Sequence, residues 1–356
     1  MKKAALFPFN KKLLPVARHF GEMQSKYTLT ELIALPGQGL SGRDAADGCN
    51  QPHLGIQVVD KVDAKSVQWD TLILVHEYLP KDFEEQKMVA EILSCGKEVT
   101  VLAHSMDSVP SWMKMLYEDK RIVLVFSEQF WKEEDQTTGY EEIHTPILFV
   151  GGLVEEADVL EATVAATKAL KDMGVIVETI TKESAAEIFG FLDFEPIYSK
   201  QEGAEEKILR INHVLRSIEK NLVPDIIVVE APDAVIRYND IEPNGFGIQT
   251  YMFCQAVRPD YMVLCMPYDL VQKEFIEILN QDFRFRYGTE IGLIHASNVL
   301  VDAIEVVSSK KMAIFYNQYD QMEAFIKDIE AGVPICNVIG QAEEFGAQLQ
   351  YLFEGC

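Results

Sequence analysis

Short, near-continuous apolar runs alternate with amphipathic stretches along the first third of the chain. AALFPF (4–9), LTELIALP (29–36), TLILVHEY (71–78), EVTVLAH (98–104) and RIVLVF (121–126) have the unbroken apolar character of strands buried on both faces. Between them, KLLPVARHFGEM, DFEEQKMVAEILSCG and SVPSWMKMLYEDK carry helical spacing, and Gly96 stands where the second helix should stop. Strand, helix, strand at these intervals predicts a parallel, doubly wound sheet. A glycine-rich insertion, GQGLSGRDAADGCNQPHLGI (37–56), interrupts the rhythm and is expected to form a long loop.

The pattern fades over SEQFWKEEDQTTGYEEIHT (127–145), which has six acids, one lysine and no apolar period. A second series follows. PILFVGG (146–152) reads as a strand entering a glycine turn, and EEADVLEATVAATKALKDMG (155–174) as a helix closed by Gly174. VIVETIT, DIIVVEA (225–231), YMVLCMP (261–267), IGLIHAS (291–297), MAIFYN (312–317) and PICNVIG (334–340) are further strand candidates. The expected fold class is α/β, with two doubly wound, mostly parallel sheets. Residues 1–126 form a Rossmann-like domain, 127–145 an acidic linker and 146–356 a second α/β domain.

Length agrees with this division, since 356 residues is more than twice a common domain of roughly 150. The formal net charge of −24 repels phosphate backbones and anionic headgroups, which argues against nucleic acid and membrane partners. The start, MKKAALFPFNKK, has too short an apolar stretch for a secretory signal, and no window is long enough to span a bilayer. The cysteines (Cys49, Cys95, Cys254, Cys265, Cys336, Cys356) are scattered, without the spacings of zinc or iron–sulfur sites. These features read as a cytoplasmic protein with reduced cysteines and no metal site.

Candidate chemistry is sparse. Gly37, Gly39 and Gly42 spell GxGxxG, and Asp60 follows about twenty residues on, as in a dinucleotide fingerprint. That fingerprint must open into a helix, whereas here Gly48 and Pro52 forbid one. His76, His104 and His295 each end a predicted strand, the edge where open α/β sheets bind ligands. Asn10, Gly39, Gly42, His76, Glu77, His104 and Ser105 make up a candidate crevice in the first domain. Neighbours on an extended strand point to opposite faces, so His104 and Ser105 are not a catalytic pair, and no catalytic residue is assigned.

In the second domain the turn Gly151–Gly152 has the strand and helix of a P-loop. Counting from Gly151 places Glu156, Ala157 and Asp158 where glycine, lysine and a hydroxyl belong. Glu155, Glu156 and Asp158 suit the positive helix end and oppose a triphosphate. Glu230 and Asp233 lie just beyond DIIVV, where an acid often faces a metal, although hydrogen bonding is an equal reading. RYNDIEPNGFGIQ (237–249) is expected as an ordered loop over the same sheet edge.

FPFNKKLLPVARHF, GQGLSGRDAADG with HLGI, TPILFVGGL, SAAEIFGF (184–191), PDIIVVEAPDAVIRYND and NGFGIQ together resemble the peptide maturation system proteins of clostridial type. These are encoded beside radical SAM maturases of Cys-rich, bacteriocin-like peptides. The second half also resembles a P-loop NTPase fold of the dethiobiotin-synthase kind, without its lysine and hydroxyl. The resemblance implies an accessory role in maturing a ribosomally synthesised peptide, with precursor peptide, maturase or both as partners and no cofactor. The chain then reads as a pseudo-NTPase scaffold. An ATP-dependent ligase or kinase with a rearranged phosphate site is the first alternative, and a dinucleotide-dependent oxidoreductase using the 37–42 loop the second. Limited proteolysis is expected to cut first within 127–145; resistance there with cleavage elsewhere removes the boundary.

Overall fold

The structure, a computed structural model, describes residues 1–127 and 139–354. It divides into two compact units. The first takes the chain up to the undescribed segment together with Glu183–Pro196, and the second takes the remainder. Most of the expected linker, 128–138, lies outside the described residues.

In the first unit the apolar runs become β1 (Lys2–Phe9), β2 (Tyr27–Ala34), β3 (Val58–Val59), β4 (Thr71–Val75), β5 (Glu98–Leu102) and β6 (Val123–Val125). They pair in the order β3-β2-β1-β4-β5-β6, all parallel. This is the dinucleotide-fold order, and the chain reverses direction of growth between β1 and β4, which opens a crevice at their carboxyl ends. Every residue of β4 is buried, as its sequence requires. The crossovers are α1 (Leu14–Met23), with Pro15 in its first turn, α2 (Glu85–Ser94) and α3 (Ser111–Glu118). Val89 and Ile92 of α2 and Met113 of α3 pack on Leu72, Leu74, Val99 and Val101. Gly96 ends α2 in the left-handed region, φ +75°.

Segment Glu183–Pro196 was expected in the second domain, as part of 146–356, and it groups with the first unit. It contains a 3-10 turn, Ser184–Phe189, whose six residues are all buried, and a short strand β9 (Leu192–Asp193). Its apolar side chains explain the placement. Phe189 meets Phe20 of α1 with ring centroids 6.3 Å apart, and the Gln24 amide donates to the Ile188 carbonyl at 2.6 Å.

In the second unit β7 (Ile147–Gly152), β8 (Val177–Thr181), β10 (Ile226–Glu230), β11 (Tyr261–Pro267), β12 (Leu293–Ser297) and β15 (Ile335–Cys336) are parallel. They run β15-β12-β11-β7-β10-β8, so β7 is central and its glycine turn emerges mid-sheet. Helix α4 (Val159–Asp172) follows that turn, with Ala162, Ala165 and Ala166 facing the core. MAIFYN, expected in this sheet, is instead β14 (Ile314–Tyr316), antiparallel to β13 (Val299–Val301). Its strand is only half buried, so it lacks the two covered faces that a central parallel position demands.

Both sheets are therefore mostly parallel and helix-covered, as expected. Among the described residues no helix is long and apolar enough to cross a membrane. Phe149 on β7 is fully buried, its ring centroid 5.6 Å from that of Phe253. Phe149→Ala should cost about 3–5 kcal/mol in urea unfolding, whereas Phe285→Ala, at a position 92% exposed, should change stability by less than about 0.5 kcal/mol.

Candidate functional site

The carboxyl edge of the first sheet collects the expected crevice residues, with unequal roles. Asn10 ends β1 and caps the 3-10 turn Lys11–Leu13, its Oδ1 accepting the Lys12 N–H at 2.8 Å. Gly39 and Gly42 adopt φ of +72° and +77°. The Gly42 N–H donates to the Val58 carbonyl at 2.8 Å, which folds the loop back on β3. Asp44 organises the rest of the loop by accepting the N–H groups of Ala46, Leu54 and Gly55 at 3.0, 3.0 and 2.8 Å. Burial opposes its charge, but these donors hold its pKa below the usual carboxylate range. The chain leaves this loop in a three-residue 3-10 turn, Asp47–Cys49, so no α-helix end faces the GxGxxG glycines.

His76 and Glu77 open a 3-10 turn directly after β4. His76 Nδ1 lies 2.8 Å from Glu85 Oε1. Burial works against a charged imidazole there, but Glu85 and Glu77 outweigh it and raise the His76 pKa. Glu77 ties loops together. Its Oε1 accepts the His104 backbone N–H at 2.5 Å and the Ser108 hydroxyl at 3.3 Å, and its Oε2 accepts the Ser184 hydroxyl at 3.2 Å. Ser105 closes its own turn, Oγ accepting the Ser108 N–H at 3.1 Å.

His104 Nδ1 bonds the fully buried Asp193 carboxylate. Burial disfavours the imidazolium, but Asp193, with Glu77 and Glu195, raises its pKa to about 9. Beside this pair the Ser127 hydroxyl donates to Glu187 and accepts the Asp193 N–H at 3.0 Å. Burial, reinforced by Asp193 and Glu77, lifts the Glu187 carboxyl to about 9, so it is neutral near pH 7. Asp193 and Glu187 were missed in the sequence because they are 89 and 60 residues from their partners. Their only trace was the buried-looking run SAAEIFGF.

Two open clefts lie in this unit, one of them against Glu77. One, of about 1050 Å³, is lined by His76, Glu77, Phe83, Ser108 and Trp112 among others. The other, of about 790 Å³, is lined by Phe7, Leu35, Gly37, Asp60, Phe83 and Met88 among others. Both include Pro80, Phe83, Glu84 and Lys87, so they adjoin across the first turn of α2. Of the expected crevice residues His76 and Glu77 line a cleft, while Asn10, Gly39, Gly42, His104 and Ser105 line neither.

The glycine turn of the second unit is filled by its own chain. The Val235 N–H donates to the Gly152 carbonyl at 2.9 Å. A Cβ on Gly151 would lie 2.5 Å from Val235 Cγ1, and one on Gly152 would lie 2.4 Å from the Val154 carbonyl oxygen. The Asn244 amide of the 237–249 loop donates to the Leu153 carbonyl at 3.0 Å. Glu230 accepts the Thr181 hydroxyl at 2.5 Å. Asp233 accepts the N–H groups of Thr250 and Gln249 at 2.8 and 3.1 Å, which caps helix Ile248–Ala256. Both acids serve hydrogen bonds within the fold.

Lys182 is the residue that counting along the turn could not find. It arrives from the end of β8, its Nζ 3.0 Å from Glu155 Oε2 and 3.1 Å from the Pro232 carbonyl. Burial lowers its pKa, but Glu155, Glu230 and Asp233 outweigh that and raise it. Glu155 is thus an ion-pair partner in the turn before the helix, which starts at Val159 and not at 155 as expected, with Glu161 as its first-turn acid. Asp158 accepts the Ser297 hydroxyl at 2.5 Å and sits 3.6 Å from His295 Nε2. His295 Nδ1 accepts the Val338 N–H at 3.2 Å, and the ring is fully buried. Among the described residues no group of three His, Cys, Asp or Glu is placed to hold a metal ion.

No protein-family model matches the chain, and no curated protein sequence matches it. Among solved structures, the crystal structure of a DUF1611 family protein from Anabaena variabilis aligns with a TM-score of 0.58 at 13% identity, covering 98% of this chain and 100% of that one. That likeness shows the fold.

Glu187 and His104 both hold protons in the folded state that the unfolded chain releases earlier. Their raised pKa values mean that stability is full at low pH and is lost as pH climbs, for Glu187 from 4.5 through about 9 and for His104 from 6.5 through about 9. Glu187→Gln keeps the neutral form at every pH. Its stability relative to the parent chain should rise between pH 5 and pH 9 in chemical denaturation, and a pH-independent difference would refute the neutral carboxyl.

Proposed function

We propose that this chain is a non-hydrolysing accessory protein in the maturation of a ribosomally synthesised, Cys-rich peptide, acting in the cytoplasm on precursor peptide, maturase or both. The observation that carries this reading is the filled glycine turn. A phosphate held there needs free backbone N–H groups and space beside the glycines. Here the Leu153 and Ala157 N–H groups already donate to the Cys265 and Val154 carbonyls, Val235 packs directly on Gly151, and Asn244 ties a loop to the Leu153 carbonyl. The first unit, in contrast, keeps open clefts at its carboxyl edge, where α/β sheets bind their ligands. The sequence resemblance supplies the pathway.

One observation favours the nucleotide-dependent ligase or kinase instead. Lys182 brings a positive charge to the turn, and an ammonium beside a phosphate is the group the sequence lacked. Magnesium-dependent phosphate release separates the two. The accessory reading expects no turnover of ATP or GTP and no calorimetric heat with ATP or NAD. It also expects binding of a Cys-rich precursor peptide, followed by polarisation of a labelled synthetic copy. Steady turnover abolished by Lys182→Ala would establish the enzyme and remove the accessory reading.

A further inference from the structure

We propose that the groove formed by the two adjoining clefts of the first unit is the peptide-binding surface, and that it selects a segment rich in both cationic and apolar side chains. The inference rests on the accessory reading and names the chemistry of its partner.

The groove has an apolar floor. Leu35, Val62, Phe83, Met88 and Trp112 are half-buried, packing on the core of the first unit while lining the clefts. Phe83 belongs to both clefts, so the floor continues across the first turn of α2. Around it stand Asp60, Glu77, Asp82, Glu84, Glu85, Glu91 and Asp107, against Lys61, Lys81, Lys87 and His76. With Lys87 paired to Glu84 at 2.8 Å, His76 to Glu85 at 2.8 Å and Asp107 to Lys114 at 3.7 Å, Asp60, Glu77, Asp82 and Glu91 remain against Lys61 and Lys81, so the lining stays acidic. Asp60, Asp82 and Glu91 are exposed at the rim.

Charge then chooses the occupant. A nucleotide, a phosphorylated ligand or an acidic peptide meets a surplus of carboxylates within a chain whose net charge is already −24. A small polyamine satisfies the acids but leaves Phe83 and Trp112 without a partner. A peptide alternating basic and apolar residues uses both. Open clefts lying side by side suit an extended chain better than one compact molecule, and carboxylates at the rim steer it in at low salt.

Fluorescence polarisation of a labelled short peptide of alternating Lys and Leu, beside its Glu/Leu counterpart and with spermine as competitor, tests this on the full chain. The expected result is saturable binding of the Lys/Leu peptide that weakens as salt rises, with no binding of the Glu/Leu peptide. Asp82→Lys with Glu91→Lys should weaken it roughly tenfold or more, given two reversed rim charges. Glu205→Lys with Glu277→Lys, exposed in the second unit, changes net charge equally and should leave binding near its parent value. Equal loss in both pairs would show attraction by the whole acidic surface and overturn the groove. Binding of the Glu/Leu peptide, or spermine matching the Lys/Leu peptide in affinity, would overturn the stated selectivity. Melting temperature checks that all variants fold. If the Cys-rich precursor binds the parent and the groove pair alike, the groove fails and the accessory reading stands. If the Lys/Leu peptide uses the groove while the precursor binds nowhere, the accessory reading fails and the groove stands.

Discussion

Burying a carboxylate without solvent is costly unless donors or a counter-charge surround it, and Asp193 has no exposure at all. Its tolerance inside the fold depends on His104, which follows β5, and removing one member of such a buried pair typically costs about 3–5 kcal/mol. That requirement fixes more than one contact. It holds Glu183–Pro196 within the first unit, although nearly the whole second-unit sheet is built from chain on either side of that segment. It also bears on the charge of its neighbour. Burial first, and then the nearby Asp193 and Glu77 carboxylates, push the Glu187 pKa up to about 9, so it stays protonated near pH 7 beside the Ser127 hydroxyl. The loops after β4, β5 and β6 are thus cross-braced by Glu77, His104 and Ser127. Side chains that looked like reagents in the sequence are ties in the structure.

The tying leaves one part of the edge open. Loops at the β4, β5 and β6 ends are bound to the 183–196 segment through Glu77, His104 and Ser127. Phe83 and Trp112 pack on the core of this unit and stop at half burial. A cleft survives where the chain reverses between β1 and β4, the place topology alone would choose.

Much of this architecture was legible in the apolar runs. Strands from AALFPF to PICNVIG reappear, since a parallel strand covered on both faces leaves a continuous apolar signature. What escaped had weaker signals. Val58–Val59 is too short to announce a strand. Helix Ala204–Leu222 buries Ile211, Val214, Leu215 and Ile218 at helical spacing, but acids and lysines around them mask the stripe. The site was less legible than the fold. His76 and Glu77 could be placed at a strand end from the sequence, and they do line a cleft. Asp193, Glu187 and Lys182 could not, because each meets its partner only after the sheets assemble, and no local spacing encodes such a meeting.

The second unit shows how local charge can mislead about what closes a site. The sequence predicts that Glu155, Glu156 and Asp158 repel phosphate from the helix end. In the fold Glu156 is exposed, Asp158 turns to Ser297, and Glu155 is neutralised by Lys182. The last pair is partly exposed, and such pairs are worth about 0–1 kcal/mol, too little to exclude a tightly held anion. The tighter constraint at the turn is the backbone packing. Segment 231–235 leaves β10 and lays the Val235 N–H on the Gly152 carbonyl, with the valine methyl against Gly151. Gly247 lets the next loop lie flat on Val235, since any Cβ there would come within 2.6 Å of its carbonyl oxygen. Reversing the acids would therefore change the field without making room. Opening the turn requires moving the Val235 backbone, and that strand exit is anchored by the Asp233 cap of a half-buried helix.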